Sequence, residues 1–314
     1  MNQNSKKVVS VICPVHNEEG SIPIFYERMI NIFNKLAQNY SFELIFINDG
    51  SNDNSYSLLH KLYEKDKRIK IISFTKNFGH QAAILAGYKY SSGEYIFQIT
   101  VSCQDPPETL ILFLKTLEEG YDIVYGIRDK RPENFILQKL RKLFYRTLKY
   151  ISDIDIILNM NEFALITKEV KETVLLVQNQ IPFIRAEIAN SGFKRKGINY
   201  EIQPRLAGKS HYNLKKMTSY ALAGILSVST FPLRLIIYFM PILLIINFIS
   251  IIFKISYNTN DLILYSLIFD SIIISFSLSF IGLYIARIYK NIVKRPIYVI
   301  DMKKSFFIKT SEKL

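Results

Sequence analysis

Short apolar runs alternate with amphipathic stretches along roughly the first two hundred residues, and two long apolar blocks follow. The runs at 8–14, 43–49, 69–74, 94–100 and 121–126 are rich in Val, Ile, Phe and Tyr and read as strands. Between the first two, Ile22, Phe25, Met29, Ile32, Phe33 and Leu36 recur at helical spacing. Nearly continuous apolar strands joined by helical crossovers predict an α/β fold with a mostly parallel sheet covered on both faces. The ligands of such sheets lie at the carboxyl ends of the strands, so chemistry is expected in the loops after those runs.

The apolar blocks carry a different message. Residues 235–253 run for nineteen positions without a charge, and residues 262–286 for twenty-five with Asp270 as the sole charge. At about 1.5 Å per residue each reaches across a hydrocarbon layer of roughly 30 Å. The eight-residue link 254–261 is nearly neutral, whereas the sequence on both outer flanks is basic. The positive-inside rule therefore places both flanks, and both termini, in the cytoplasm and the link outside. Two buried helices of a large soluble core are the alternative reading. Asp270 is expected to face protein or another subunit rather than lipid.

Composition narrows the class. The 314 residues are 49% hydrophobic and 21% charged, which excludes disordered and collagen-like chains. The two cysteines, Cys13 and Cys103, fit a reducing compartment better than a disulfide scaffold. The apolar stretch near the amino terminus is too short for a signal-peptide core. The net charge of +13 is concentrated in 128–149, 194–216 and 287–314, each netting +6, so the remainder is net negative. Such patches suit anionic head groups, phosphorylated small molecules or nucleic acid. Nucleic acid has charge alone in its favour: Trp and any recognisable binding motif are missing, and acidic loops crowd the sheet edge.

Four polar loops follow the first four strands. They are Pro14-Val15-His16-Asn17-Glu18-Glu19, Asn48-Asp49-Gly50-Ser51-Asn52-Asp53, Lys76-Asn77-Phe78-Gly79-His80 and Gln104-Asp105-Pro106-Pro107-Glu108. Each alone reads as turn and helix-cap chemistry. Together on one sheet edge they form a crevice of donors and acceptors able to hold a nucleotide. The Gly208-Lys209-Ser210 triplet is not a Walker A loop, because Gln203 stands where that motif needs glycine.

In this order, PVHNEE, NDGSNDNS, KNFGHQAAILAG, QDPPE, RLAGKSHY, FPLRL and two apolar spans, the chain resembles the polyprenyl-phosphate glycosyltransferases of glycosyltransferase family 2. Bactoprenol glucosyltransferases and dolichol-phosphate mannose synthases belong to that group, and IGLYIARIYKNIVKRPIYVI is most similar to the bactoprenol branch. The resemblance implies an inverting GT-A domain at 1–212 and an interfacial amphipathic connection at 213–232. It also implies two transmembrane helices within 233–286 and a basic cytoplasmic tail at 287–314 that binds anionic head groups. It implies transfer of a hexose, from a donor expected to be UDP-linked, to undecaprenyl phosphate at the bacterial inner membrane, by a multi-pass protein that forms homo-oligomers.

Residue by residue, the resemblance assigns Pro14, Asn17, Glu18, Asp49, Lys76, Asn77 and Gly79 to the nucleotide-sugar. Ser102 and Gln104 join them from the next loop. Arg128, Arg131, Arg205, Lys209, Ser210 and Tyr212 are assigned to the lipid phosphate and the donor diphosphate, which arginine forks match well. Two departures stand out. The family's Asp-x-Asp-Leu-Gln-Asp-Pro-Pro becomes Thr100-Val101-Ser102-Cys103-Gln104-Asp105-Pro106-Pro107, so two carboxylates that help hold a divalent cation are missing. Gln104 and Asp105 are left to hold Mg²⁺ or Mn²⁺ in a weakened site, with cationic replacement of the metal and loss of catalysis as the other outcomes. The family's Gly-Asp-Phe-Arg-Leu becomes Asn161-Glu162-Phe163-Ala164-Leu165, leaving Glu162 as candidate base and catalytic partner of Asp105. A non-catalytic homologue that binds nucleotide-sugar or lipid phosphate is the rival reading.

Overall fold

The computed structural model describes residues 6–128, 135–157, 160–177, 179–180, 182–205, 224–257 and 261–307. The expected strands form at β1 (Lys7–Val15), β2 (Tyr40–Asn48), β3 (Ile69–Ser73), β4 (Tyr95–Gln98) and β5 (Ile123–Arg128). They alternate with α1 (Ile22–Leu36), α2 (Ser55–Lys65), α3 (His80–Tyr90) and α4 (Thr109–Glu118). After α5 (Phe135–Ile151) come β6 (Met160–Thr167), α6 (Lys168–Leu175), α7 (Ile184–Asn190) and β7 (Arg195–Tyr200). The sheet order is β3-β2-β1-β4-β6-β5-β7. Among the described strands β6 alone runs against its neighbours: it pairs antiparallel with both β4 and β5.

Two-residue alternation along buried strands splits the core in two. Val9, Val11, Cys13, Phe46, Phe97 and Phe163 point to one face and pack with Phe25 and Phe33 of α1 and Phe113 of α4. Ile12, Ile45, Ile47, Ile72 and Ile96 point to the other, against Ala83 and Tyr88 of α3 and Val170 of α6. This doubly covered sheet carries the carboxyl ends of its parallel strands, and so the polar loops, along a single edge.

The apolar blocks are single helices longer than the uncharged runs, α8 (Phe231–Tyr257) and α9 (Asp261–Val293). Both are long and apolar enough to cross a membrane, with mean hydropathy 2.6 and 1.9 over their richest windows and almost no burial. Asp270 faces protein: Asn247 of α8 donates to one carboxylate oxygen at 2.8 Å, while Oδ1 is buried with no hydrogen-bond partner among the described residues. The hairpin base is hydrogen-bonded to the sheet domain. The Gln180 N–H donates to the side-chain carbonyl of Asn291 in α9 at 3.0 Å, Arg234 of α8 pairs with Asp153, and the N–H of Asp153 donates to the carbonyl of Val228 at 2.8 Å. A small core of Leu148, Ile156, Phe183, Ala186 and Val228 joins α5 and α7 to the segment before α8.

The basic tail divides differently from expectation. Residues up to Val293 extend α9, and the stretch from Ile300 to Phe306 returns to the sheet as an edge segment on β3. The Ile71 N–H donates to the carbonyl of Phe306 at 3.1 Å, and the Phe306 N–H returns the bond at 2.7 Å. Tyr298 stacks on Phe74 at 4.9 Å and Phe306 on Tyr63 at 4.8 Å. The edge of β3 is thereby capped, which removes a row of open backbone groups. Replacing Tyr298 and Phe306 together by alanine is expected to lower the melting temperature by on the order of 5–10 °C. A melting curve superimposable on wild type would show the tail to be a passive strap.

Candidate active site

The carboxyl edge brings the predicted nucleotide residues together around the ends of β1, β2 and β3. Asn17 adopts a left-handed backbone (φ 55°). Its N–H donates to Ser51 Oγ at 3.1 Å and its side-chain carbonyl accepts from the Asn52 N–H at 2.8 Å. The Glu18 N–H donates to Ser55 Oγ at 2.9 Å, and the Glu18 carboxylate pairs with Arg205. Asp49, buried at the end of β2, accepts from the Phe78 N–H at 2.7 Å and the Gly79 N–H at 3.0 Å. Burial pushes the Asp49 carboxyl above its ordinary value, against the pull of those two N–H groups.

Gly50 explains how this loop meets the next. Its φ is +61°, and a Cβ there would lie 2.4 Å from the Lys76 carbonyl carbon and 2.5 Å from the Asn77 nitrogen. Only glycine permits that approach, which sets the exposed Lys76 and Asn77 beside Asp49. Pro14 lies within β1, opposite Ile47, and is buried.

The other half of the edge differs from expectation. Arg128 ends β5 and grips Asp105 with Nη2 at 2.9 and 3.1 Å and Nε at 3.2 Å. Tyr200, at the end of β7, donates its hydroxyl to the same carboxylate, and Asn161 Nδ2 stands 3.4 Å away. Asp105 is 4% exposed, so this is a buried anion with its acceptors taken. Thr100 and Ser102 supply hydroxyls 3.1 Å apart where the family has carboxylates. The expected ligand pair Gln104 and Asp105 therefore does not fit a resident divalent cation. Asp105 is engaged by a guanidinium, Gln104 brings a neutral amide, and Mg²⁺ favours one or two available carboxylates. Among the described residues no group of three or more His, Cys, Asp and Glu could hold a metal. Arg128, assigned to phosphate, is likewise Asp105's partner, and Arg205 reaches Glu18. Arg131, Lys209, Ser210 and Tyr212 lie outside the described residues.

Glu162, on the antiparallel β6, faces a partner that no sequence pattern assigned. His80 Nε2 lies 2.6 Å from Glu162 Oε2, and Gln81 Nε2 donates to Oε1. Gln81 is itself held where the Ile184 N–H donates to its carbonyl at 3.0 Å. Burial would push the Glu162 carboxyl up; the His80 imidazolium, with Arg185 and Gln81, overcomes it and holds the group down at about 2. For His80, burial favours the neutral ring, but Glu162 and then Asp49 raise it above its ordinary 6.5. Glu162's contribution to stability is present above 4.5 and fades as pH falls toward about 2. His80's is present below 6.5 and is lost as pH rises through its elevated value.

The residues beyond sequence reasoning thus include His80, Gln81 and Tyr200. His80 and Gln81 belong to KNFGHQAAILAG, where they open a helix. Their partner is about eighty positions away, and only the sheet order shows it. Burial also pushes the Cys103 thiol up, which makes it a poor nucleophile.

A doubly wound sheet with amide, carboxylate and cationic groups massed along its carboxyl edge defines a nucleotide-handling enzyme of GT-A type. This chain belongs to glycosyltransferase family 2, whose model, Glycosyl transferase family 2, matches residues 10–175. It is 36% identical over 302 residues to the uncharacterized glycosyltransferase YkcC of Bacillus subtilis, covering 93% of each chain. It is 33% identical over 305 residues to the prophage bactoprenol glucosyl transferase homolog of Escherichia coli, covering 94% of this chain and 99% of that one. Among solved structures it is similar to glucosyl-3-phosphoglycerate synthase from Mycobacterium tuberculosis, with 18% identity and a TM-score of 0.46 over 70% of this chain and 79% of that one.

Proposed function

We propose that this glycosyltransferase moves a hexose from a UDP-linked donor to undecaprenyl phosphate, with inversion, at the inner face of a bacterial cytoplasmic membrane. The observation that carries the reading is the attachment of a nucleotide-type sheet edge to an apolar hairpin. Helices of 27 and 33 residues suited to a bilayer are joined at their base to the domain that bears the site, α8 through the Arg234–Asp153 pair and α9 through Asn291, which accepts from the Gln180 N–H. Relatives named bactoprenol glucosyl transferase match nearly the whole chain, hairpin included, which supports a polyprenyl phosphate acceptor. In this reading 1–212 is the catalytic unit, both termini are cytoplasmic, and the hairpin spans the bilayer and joins copies into a homo-oligomer.

The chemistry asks little of a general base, because a phosphate monoester is already anionic near neutral pH. One in-line displacement at the anomeric carbon, with the diphosphate leaving on the opposite face, needs alignment and charge neutralisation. Asn17, Glu18 and Asp49 would hold the nucleoside. Lys76, exposed beside them, and the basic segment around 205–216 would meet the phosphates.

The test is transfer of labelled sugar from UDP-glucose, UDP-GlcNAc and UDP-galactose to undecaprenyl phosphate by the full chain in detergent, with Mg²⁺, Mn²⁺ or EDTA. Transfer from one donor is expected, at a rate that EDTA leaves within about twofold, because the carboxylates for a resident cation are missing or engaged. Abolition by EDTA and recovery with Mn²⁺ would overturn the metal-free expectation. A protein that binds UDP yet transfers from no donor would favour a non-catalytic homologue, a reading that the hydroxyls at Thr100 and Ser102 keep in view.

A further inference from the structure

The carboxylate offered by the sequence as a base is badly placed to act as one. Both Glu162 oxygens already accept hydrogen bonds, from His80 and Gln81, and Gln81 is locked by the backbone of α7. Carboxylates so arranged orient a neighbour; they do not take protons. The neighbour is the more telling group. His80 is the first residue of α3, directly after Gly79, whose N–H is tied to Asp49. It stands where the nucleotide half of the edge meets the β6 half, with its side chain one-third exposed. Nε2 is committed to Glu162, which leaves Nδ1–H as the ring's second donor.

We propose that His80 is a phosphate-binding catalytic residue for the transfer reaction and Glu162 its positioning partner. Glu162 fixes Nε2 and balances the ring's charge, and Nδ1–H donates to an anionic phosphate oxygen of donor or acceptor. The inference rests on the glycosyl-transfer reading for the identity of that oxygen. Its physical basis is local. An imidazolium at a helix amino terminus adds its charge to the partial positive charge of the helix. The carboxylate behind it, 2.6 Å from Nε2, favours the protonated ring and so the presence of the second donor. The charged and titratable groups around the pair are Glu162 from β6, Asp49 from the end of β2, and His16 from the loop after β1, whose Nδ1 lies 2.8 Å from the Asp49 carbonyl oxygen. Among the described residues, Arg185 from α7, stacked on Phe183, and Tyr88 from within α3 join them.

Two measurements test this on the full chain in detergent. The first is the pH profile of kcat/KM for wild type, His80→Gln and Glu162→Gln, with melting curves to confirm folding. Wild type should lose activity on the alkaline side as His80 deprotonates. His80→Gln should lose about 100-fold, as for removal of one oxyanion donor, and its alkaline limb should vanish. Glu162→Gln, which keeps an acceptor but not the charge, should retain the limb and shift it to lower pH. A His80 variant within about threefold of wild type, with the limb intact, would overturn the proposal.

The second measurement needs no turnover. The chain has four histidines, so the His80 ring signals can be assigned by their loss in His80→Gln and titrated by NMR with and without inorganic diphosphate. Diphosphate should raise the His80 midpoint in wild type and do so less in Glu162→Gln. A midpoint indifferent to diphosphate would overturn phosphate binding. A His80 that responds to diphosphate in a protein that transfers no sugar would sustain phosphate binding at His80 and defeat the transfer reading, so the two failures are distinguishable.

Discussion

Replacing Arg128 by alanine should abolish transfer and destabilise the fold by about 3 kcal/mol, the range expected when one partner of a buried ion pair is removed. The reason lies in the group left behind. Asp105 would stay buried with Tyr200 and Asn161 as its donors, an anion stripped of its counter-charge. At roughly 2–4 °C per kcal/mol for a domain of this size, the melting temperature should fall by on the order of 8 °C. Replacing the pair together, Arg128→Met with Asp105→Leu, should recover most of the stability, because the desolvation of both charges disappears with them. Activity should not return, since the loop that carries Ser102 and Gln104 loses its anchor at β5 and β7. Added Mn²⁺ should rescue neither variant. An Arg128→Ala protein that melts with wild type would mean that the pair behaves like an exposed one and that the anchoring argument is wrong.

The second large effect is expected at Asp49. Alanine there removes the acceptor of the Phe78 and Gly79 N–H groups, at 2.7 and 3.0 Å, and frees the loop that delivers Lys76, Asn77 and His80. Hydrogen bonds to a charged group contribute about 1.5–3 kcal/mol each, so the loss of both should weaken UDP binding by at least about 100-fold. Asp49→Asn keeps one acceptor and should fall between. Calorimetric titration with UDP makes the comparison. Binding of UDP to Asp49→Ala within about threefold of wild type would remove Asp49 from the nucleotide site and leave it a loop-bracing role alone.

Much of the architecture was legible from residue pattern. Ile22 through Leu36 appear as the helix their spacing demanded, and the first five strands fall within a few residues of their apolar runs. Buried parallel strands must be apolar on both faces, and such runs are visible without partners. The loops after them were legible for the same reason: where strands end, polar residues begin. The antiparallel β6 was not read as such, since strand direction leaves no mark on composition. Nor was the return of the tail to β3, because Tyr298 and Phe306 lie in a basic segment whose charge suggested a bilayer surface.

By itself the sequence determined the α/β class, the two membrane-length helices, the family, and the polar loops that follow the first four strands. Those features depend on periodicity, length and local residue type. Pairing was decided only by tertiary structure. Asp105 and Arg128 both read as substrate or metal ligands until β5 and the loop after β4 were seen side by side, each satisfying the other. Glu162 read as a candidate base with no partner assigned, and only β6, placed between β4 and β5, sets His80 against it. A buried charge is governed by the charge next to it. That neighbour is chosen by strand order and crossover, across separations of about twenty to eighty residues, where no local signal reaches.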